Sequence, residues 1–241
     1  MAKHTDFILS PIFEILNEVV HANAGIGNGM ETYPLNEYVM QSAFLRMTGF
    51  QEQKMKCICW EMATEDYEFR YEFTRTGSGE FSTYKDKAKV FTDLIAQIEK
   101  RNSFTIGDLD IAAIITMATS DVKNVLLHSN IASWDQDSFI SLDSILVDIK
   151  TEHIATDNKT LFAEVKNQNS IKKIYNEYLI KHRNRCAHNT QSYQDNLPTL
   201  KTLAEANHKF HNYFLWYIIL IIIDEIFIEL YKKYLIAIEN H

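Results

Sequence analysis

Three side chains able to act together on a phosphodiester stand close in the chain: Arg183, Asn184 and His188, in the stretch LIKHRNRCAHNTQ from Leu179 to Gln191. Histidine exchanges a proton near neutral pH, arginine offers a planar fork of donors to phosphate oxygens, and asparagine can donate to a developing oxyanion or orient an imidazole. RNA brings its own nucleophile, the 2′-hydroxyl, so this chemistry needs neither metal nor cofactor. His188 is then the proton donor or acceptor, Arg183 the phosphate clamp, and Asn184 the orienting or oxyanion-stabilising group. Lys181, His182, Arg185 and Asn189 are the flanking candidates for RNA contact. Helical spacing sets a condition on this trio: Asn184 and His188 lie about 40° apart on an ideal helix, but Arg183 and His188 about 140°. The three converge only if the helix ends or bends near His188, and the polar, turn-prone HNTQS suits such an end.

The composition alone predicts no such site. The formal net charge is −8, whereas a protein that neutralises duplex phosphates broadly would be basic, because counterion release supplies most of that affinity. Any polyanion must therefore be met locally. From Lys159 to Thr190, seven lysines and arginines oppose only Glu164 and Glu177, and the stretch around Arg183 is the densest part.

A length of 241 residues with 46% hydrophobic composition is ample for a buried core. Cys57, Cys59 and Cys186 are too few and too unevenly spaced for a disulfide framework or a four-ligand zinc site, which points to reduced thiols and a cytoplasmic location. The opening MAKHTDFILSPIF lacks a long apolar core followed by a small-residue cleavage site, so no secretory signal is expected. The apolar run YFLWYIILIII stops at Asp224 and Glu225, short of the ~20 residues needed to span a bilayer. It reads as a buried helix, with no membrane partner.

Seven glycines and three prolines give little punctuation for a strand-and-turn protein, so the expected class is all-α. DFILSPIFEILNEVVHAN has helical apolar spacing and ends at the glycine cluster AGIGNGM, which lacks the preceding strand and the Gly-Lys-Ser/Thr of a phosphate loop. Leu35 to about Thr64 is rich in helix formers, with Gly49 the expected bend or break. DYEFRYEFTR alternates Tyr67, Phe69, Tyr71 and Phe73 with charged residues, which fits a half-buried strand or a continuing helix. The fold class therefore leaves room for a short β-hairpin or irregular insertion in the N-terminal half. Helices follow over YKDKAKVFTDLIAQIEKR and over DLDIAAIITMATSDVKNVLLHSN, the latter with a possible break near Ser120. SIKKIYNEYLIKHRNRCA places Ile171, Ile174, Tyr175, Tyr178, Leu179 and Cys186 on one broad face, and the segment from Thr199 onward is one or two long helices. Residues 1–130 form an N-terminal helical region packed on a core of residues 131–241.

RNRCAH, in a basic helix near the C-terminus of a helical chain, resembles the R-x4-6-H motif of the HEPN superfamily. Arg183 and His188 match the motif, and Asn184 matches the polar position after its arginine. The resemblance implies a helical bundle, a homodimer in which two motifs face each other, and a metal-independent RNA-cleaving site. It also implies a role as a toxin or in antiviral defence, with an antitoxin or sensor protein as a further partner. RNSFTIGD begins with Arg101 and Asn102 but has no histidine at the required distance. One motif per chain then means that a composite site takes two chains. The alternative within the same family is an inert nucleotide- or RNA-binding or assembly module.

Other chemistry has weaker support. Glu205, His208 and His211 share a helical face, yet no fourth ligand can be named and Phe210 and Tyr213 suggest core packing, so no metal is expected. Cys186 sits on the apolar face of its helix, as a buried and inert thiol would. Without a family role, Arg183 and Arg185 would decorate a solvated face and His188 would sit at a helix C-terminus, where a cation gains about 0.3–1 kcal/mol.

Overall fold

A computed structural model describes residues 4–27, 29–76, 79, 81–165, 170–188 and 206–240. The short α1 (Thr5–Leu9) and α2 (Phe13–Asn23) lead into a long α3 (Tyr33–Glu65), with Pro34 in its first turn, where its missing N–H is no loss. Then come α4 (Tyr67–Thr76), α5 (Tyr84–Glu99), α6 (Ile111–Leu126), α7 (Asn130–Trp134) and α8 (Gln136–Leu146). An antiparallel hairpin of β1 (Ile154–Asp157) and β2 (Thr160–Phe162) separates these from α9 (Ile171–Ile174). A π-helical turn over Tyr175–Leu179 joins α9 to α10 (Ile180–His188), and α11 (Tyr213–Glu239) completes the fold. The protein is mostly helical.

Local chemistry sets several boundaries. Thr83 and Asp86 form a reciprocal capping box at the start of α5, Asp110 caps α6 through the Ala113 N–H, and Asn212 caps α11 through the Leu215 N–H. The Tyr84 hydroxyl, which donates to the Phe162 carbonyl at 3.2 Å and accepts from its N–H at 3.1 Å, ties the hairpin to α5.

Three expectations need correction. α3 passes through Gly49 without a break; a Cβ there would meet nothing within 4 Å, so the glycine occupies open space, and packing along the rest of α3 offsets its ~0.5–1 kcal/mol propensity cost. Of the two forms open to residues 67–76, the structure shows the helix, begun anew after Asp66. Phe69 and Phe73 stack with centroids 5.7 Å apart, while Tyr67 and Tyr71 are exposed, and i,i+4 pairs on two faces produce the same alternation in sequence as a strand. Among the described residues the one hairpin lies at 154–162, not in the N-terminal half. α6, for its part, runs through Ser120 uninterrupted.

The core is organised around α11. Ile218 to Ile223 are each no more than 1% exposed, so this stretch is enclosed on every side, and α3, α5, α6 and α8 supply the walls. No helix among the described residues is long and apolar enough to cross a membrane. One hydrophobic cluster reaches from Ile8 to Ala237. Polar rungs tie α3 to α11. Gln51 Nε2 donates to the Leu220 carbonyl at 3.0 Å, and Lys54 Nζ contacts the Asp224 carboxylate at 2.7 and 2.8 Å. Asp224 Oδ2 also accepts the Ile12 N–H at 2.9 Å, at the entrance to α2. Burial lowers the Lys54 pKa and raises that of Asp224, while their mutual attraction opposes both shifts.

Removing one partner of this pair leaves an uncompensated buried charge, so Lys54→Met should cost about 3–5 kcal/mol. The double variant Lys54→Met/Asp224→Leu should cost less than the sum of the single changes, leaving mainly the Ile12 N–H unsatisfied. Urea denaturation of the four proteins in the cycle measures the coupling; strict additivity would show that the pair has no mutual role.

Candidate functional site

α10 lies against α3 and follows directly on the π-helical turn. Such a turn inserts one residue into the helical spacing and re-aims every side chain after it. At the start of the turn, Tyr175 is buried, and its hydroxyl donates to the Ser82 carbonyl at 3.3 Å. After it, Arg183 points toward α3. Its Nη2 donates to both oxygens of Glu52, at 2.7 and 3.0 Å, and the two side chains are only 15% and 14% exposed. Nη1 donates to Asn184 Oδ1 at 3.2 Å, leaving the exposed amide nitrogen of Asn184 as a donor toward solvent. Arg183 and Asn184 therefore act as one preoriented unit.

The buried Lys87 stands behind this pair. Its Nζ donates to the Phe81 carbonyl at 2.8 Å. Burial lowers its pKa to about 8, opposed by the negative charges of Glu52 and Asp86 and assisted by Arg183. Glu52 is thus the counter-charge for two cations on different elements. Phe81 itself adopts a left-handed φ of 62°, a conformation uncommon for a residue with a Cβ.

His182, one of the expected RNA contacts, has a different environment. Its ring lies 4.8, 5.2 and 5.8 Å from the rings of Trp216, Tyr213 and Phe44. Nε2 is 2.7 Å from the Tyr213 hydroxyl, which itself donates to Glu37 Oε1 at 2.8 Å. The hydroxyl proton is committed to the carboxylate, so Nε2 carries the imidazole proton and Nδ1 is the acceptor, 3.4 Å from Arg185 Nη2. Burial first, then the charges of Arg185 and His211, lowers the His182 pKa to about 4. The residue is a neutral relay that orients Arg185. Burial also raises the Tyr213 pKa, as does Glu37.

Of the remaining sequence candidates, Lys181 is exposed and pairs with Glu177 one helical turn back. Arg185 is exposed and reaches solvent beside His182. His188 belongs to α10, but its side chain lies outside the described residues, as does all of Asn189. Glu205 likewise lies outside them, and no group of three acidic, histidine or cysteine side chains among the described residues could hold a metal. Cys186 is partly buried, with Sγ 3.2 Å from His182 Nε2, and burial raises its pKa. It is a protonated thiol at neutral pH.

Glu37 and Glu52 were missed by reading the basic window alone, because Arg183 and Glu52 are 131 positions apart. A signal existed: Glu37, Gln41, Thr48 and Glu52, with the apolar Phe44 among them, recur at intervals of three and four along α3, a largely polar stripe on one helical face. No protein-family model, curated protein or solved structure matches this chain.

His182 and His211 both have pKa values lowered to about 4 from an ordinary 6.5, burial being the first cause in each. Across that interval the unfolded chain binds more protons than the folded one, so stability should rise with pH and be lowest below the folded values. The urea midpoint should accordingly be lower at about pH 5 than at about pH 7, and NMR titration should find both imidazoles still neutral at the lower of these. Titration of either ring near its ordinary value would contradict the enclosed geometry.

Proposed function

We propose that the protein is a metal-independent endoribonuclease of HEPN type, with its site shared between the two subunits of a homodimer. The observation that carries this reading is the grip of Glu52 on Arg183 beside Asn184. A clamp residue must be held in one orientation before substrate arrives, and a carboxylate bound through one guanidinium nitrogen does this while Nη1 holds only a neutral, exposed partner. A phosphate oxygen can replace that partner. Asn184 then donates through its amide nitrogen, and Arg185, oriented by His182, extends the contact to a neighbouring phosphate.

In the proposed step the RNA 2′-oxygen attacks the adjacent phosphorus. The O2′–P bond forms, the P–O5′ bond breaks, and a 2′,3′-cyclic phosphate and a free 5′-hydroxyl result. His188, from one or the other subunit, takes the 2′ proton or supplies one to the departing 5′-oxygen, while Arg183 offsets charge on the non-bridging oxygens. A toxin-like or antiviral role in the cytoplasm, under an antitoxin or sensor partner, goes with this reading.

One observation favours the second reading, an inert RNA- or nucleotide-binding module. Glu52 cancels much of the charge of Arg183, and Glu177 does the same for Lys181, which weakens the field available to a transition state.

Incubation of the purified protein with transfer RNA and structured RNA separates the two. Cleavage that persists in EDTA, leaves cyclic phosphate ends and falls by ~10²–10⁴-fold in His188→Ala supports the nuclease. An activity abolished by EDTA and restored by a divalent ion would reject it. RNA binding without turnover, weakened in Arg183→Ala, would support the inert module. Mixed Arg183→Ala and His188→Ala subunits should regain part of the activity if the site is shared across the dimer.

A further inference from the structure

A cleft of about 530 Å³ opens between α2, α6 and the turn into α7, lined by no residue of α3, α10 or α11. Its size falls within the ~300–1,000 Å³ typical of small-molecule sites. Phe13, Val20 and Val125 give it apolar walls. Several of its polar groups present acceptors, for reasons that can be read atom by atom.

His21 Nδ1 is 2.7 Å from the Asn17 carbonyl, which can only accept, so in the neutral ring the proton is on Nδ1 and Nε2 presents a lone pair. Asn130 is 7% exposed, and its Nδ2 donates to the carbonyls of Asn23 and Ile26 at 2.6 and 3.2 Å, which fixes the amide orientation. Its Oδ1 is left buried and without a partner. Asn124 Nδ2 donates to Ser120 Oγ at 3.1 Å, which leaves its oxygen as a further acceptor. Asp121 adds a carboxylate that, among the described residues, has no ion pair or hydrogen bond. No lysine or arginine lines the cleft. His128 closes it in a left-handed turn with φ 65°, a conformation uncommon for a residue with a Cβ.

A carboxylate and several unmatched acceptors between apolar walls ask for a ligand that brings donors, positive charge and an aliphatic stem. We infer that this cleft binds an alkylguanidinium cation, its planar head paired with the Asp121 carboxylate and its stem lying along Phe13, Val20 and Val125. A guanidinium fork matches a carboxylate through two parallel hydrogen bonds, which an ammonium cannot do. Burial raises the Asp121 pKa, so its negative charge carries a desolvation cost that a bound cation offsets. The inference is independent of the ribonuclease reading.

Isothermal titration of the full chain at neutral pH with N-butylguanidine and with N-butylurea, which keeps the shape of the head but not its charge, tests it. One-to-one binding of the guanidine at least about tenfold tighter than the urea is expected, because a charge-assisted contact is lost in the urea. Asp121→Asn should weaken guanidine binding by a similar factor while circular dichroism remains that of the parent. Equal affinity for the two ligands, no heat with the guanidine at about 10 mM, or an unchanged affinity in a folded Asp121→Asn protein would overturn the proposal. If that variant fails to fold, the comparison of the two ligands on the parent protein decides by itself.

Discussion

A helix that is apolar on every side is stable in water only when other elements enclose it, and α11 places that demand on the whole chain. Ile218 to Ile223 leave no face for solvent, and burying each such side chain is worth about 1.5–3 kcal/mol. Burial of this kind is non-directional, so it does not say how far α3 should slide along α11. The polar rungs do. Gln51 with Leu220 and Lys54 with Asp224 are matched at spacings of three and four residues on the two helices, so a shift by one turn would leave a buried amide and two buried charges unpaired. Asp224 extends the same constraint to α2 through the Ile12 N–H. Specificity of register, rather than net stability, is the role that a buried ion pair of this kind fulfils best.

Once α3 is fixed, so is what α10 encounters. Glu37, Phe44 and Glu52 stand on the side of α3 that meets α10 and α11, and each engages a residue there: Tyr213, His182 and Arg183. The core constraint and the candidate site are thus two faces of a single 33-residue helix. This arrangement makes the site less cationic than its local sequence. Glu52 reduces the charge of Arg183 and supplies orientation, and Glu177 pairs with Lys181. Arg185 retains its exposure to solvent, held by a neutral histidine whose tautomer is set two hydrogen bonds away at Glu37. Orientation can matter more than field strength where a planar guanidinium is to meet two oxygens of one phosphate.

Much of the helical architecture was legible because its causes are local. Scarce glycine and proline and the helical spacing of apolar residues act over a few residues, and the structure follows them. The sequence left the outcome open, or pointed the wrong way, where a local pattern has two physical realisations. Alternating aromatic and charged residues at 67–73 serve a strand with two faces or a helix with paired aromatic residues at i and i+4, and only contact with α3 selects the helix. Gly49 is a poor helix residue by itself, yet a 33-residue helix held along its length carries it through.

By itself the sequence determined which side chains sit together within one turn: Arg183 beside Asn184, and Lys181 one turn beyond Glu177, because a helix fixes neighbours at short range. Only the tertiary structure decided their chemical state. The carboxylate that holds Arg183 comes from 131 residues away, and the aromatic enclosure that keeps His182 neutral is built from α3 and α11. Charge, tautomer and pKa depend on desolvation and on partners across the fold, and these do not exist until distant helices are packed together.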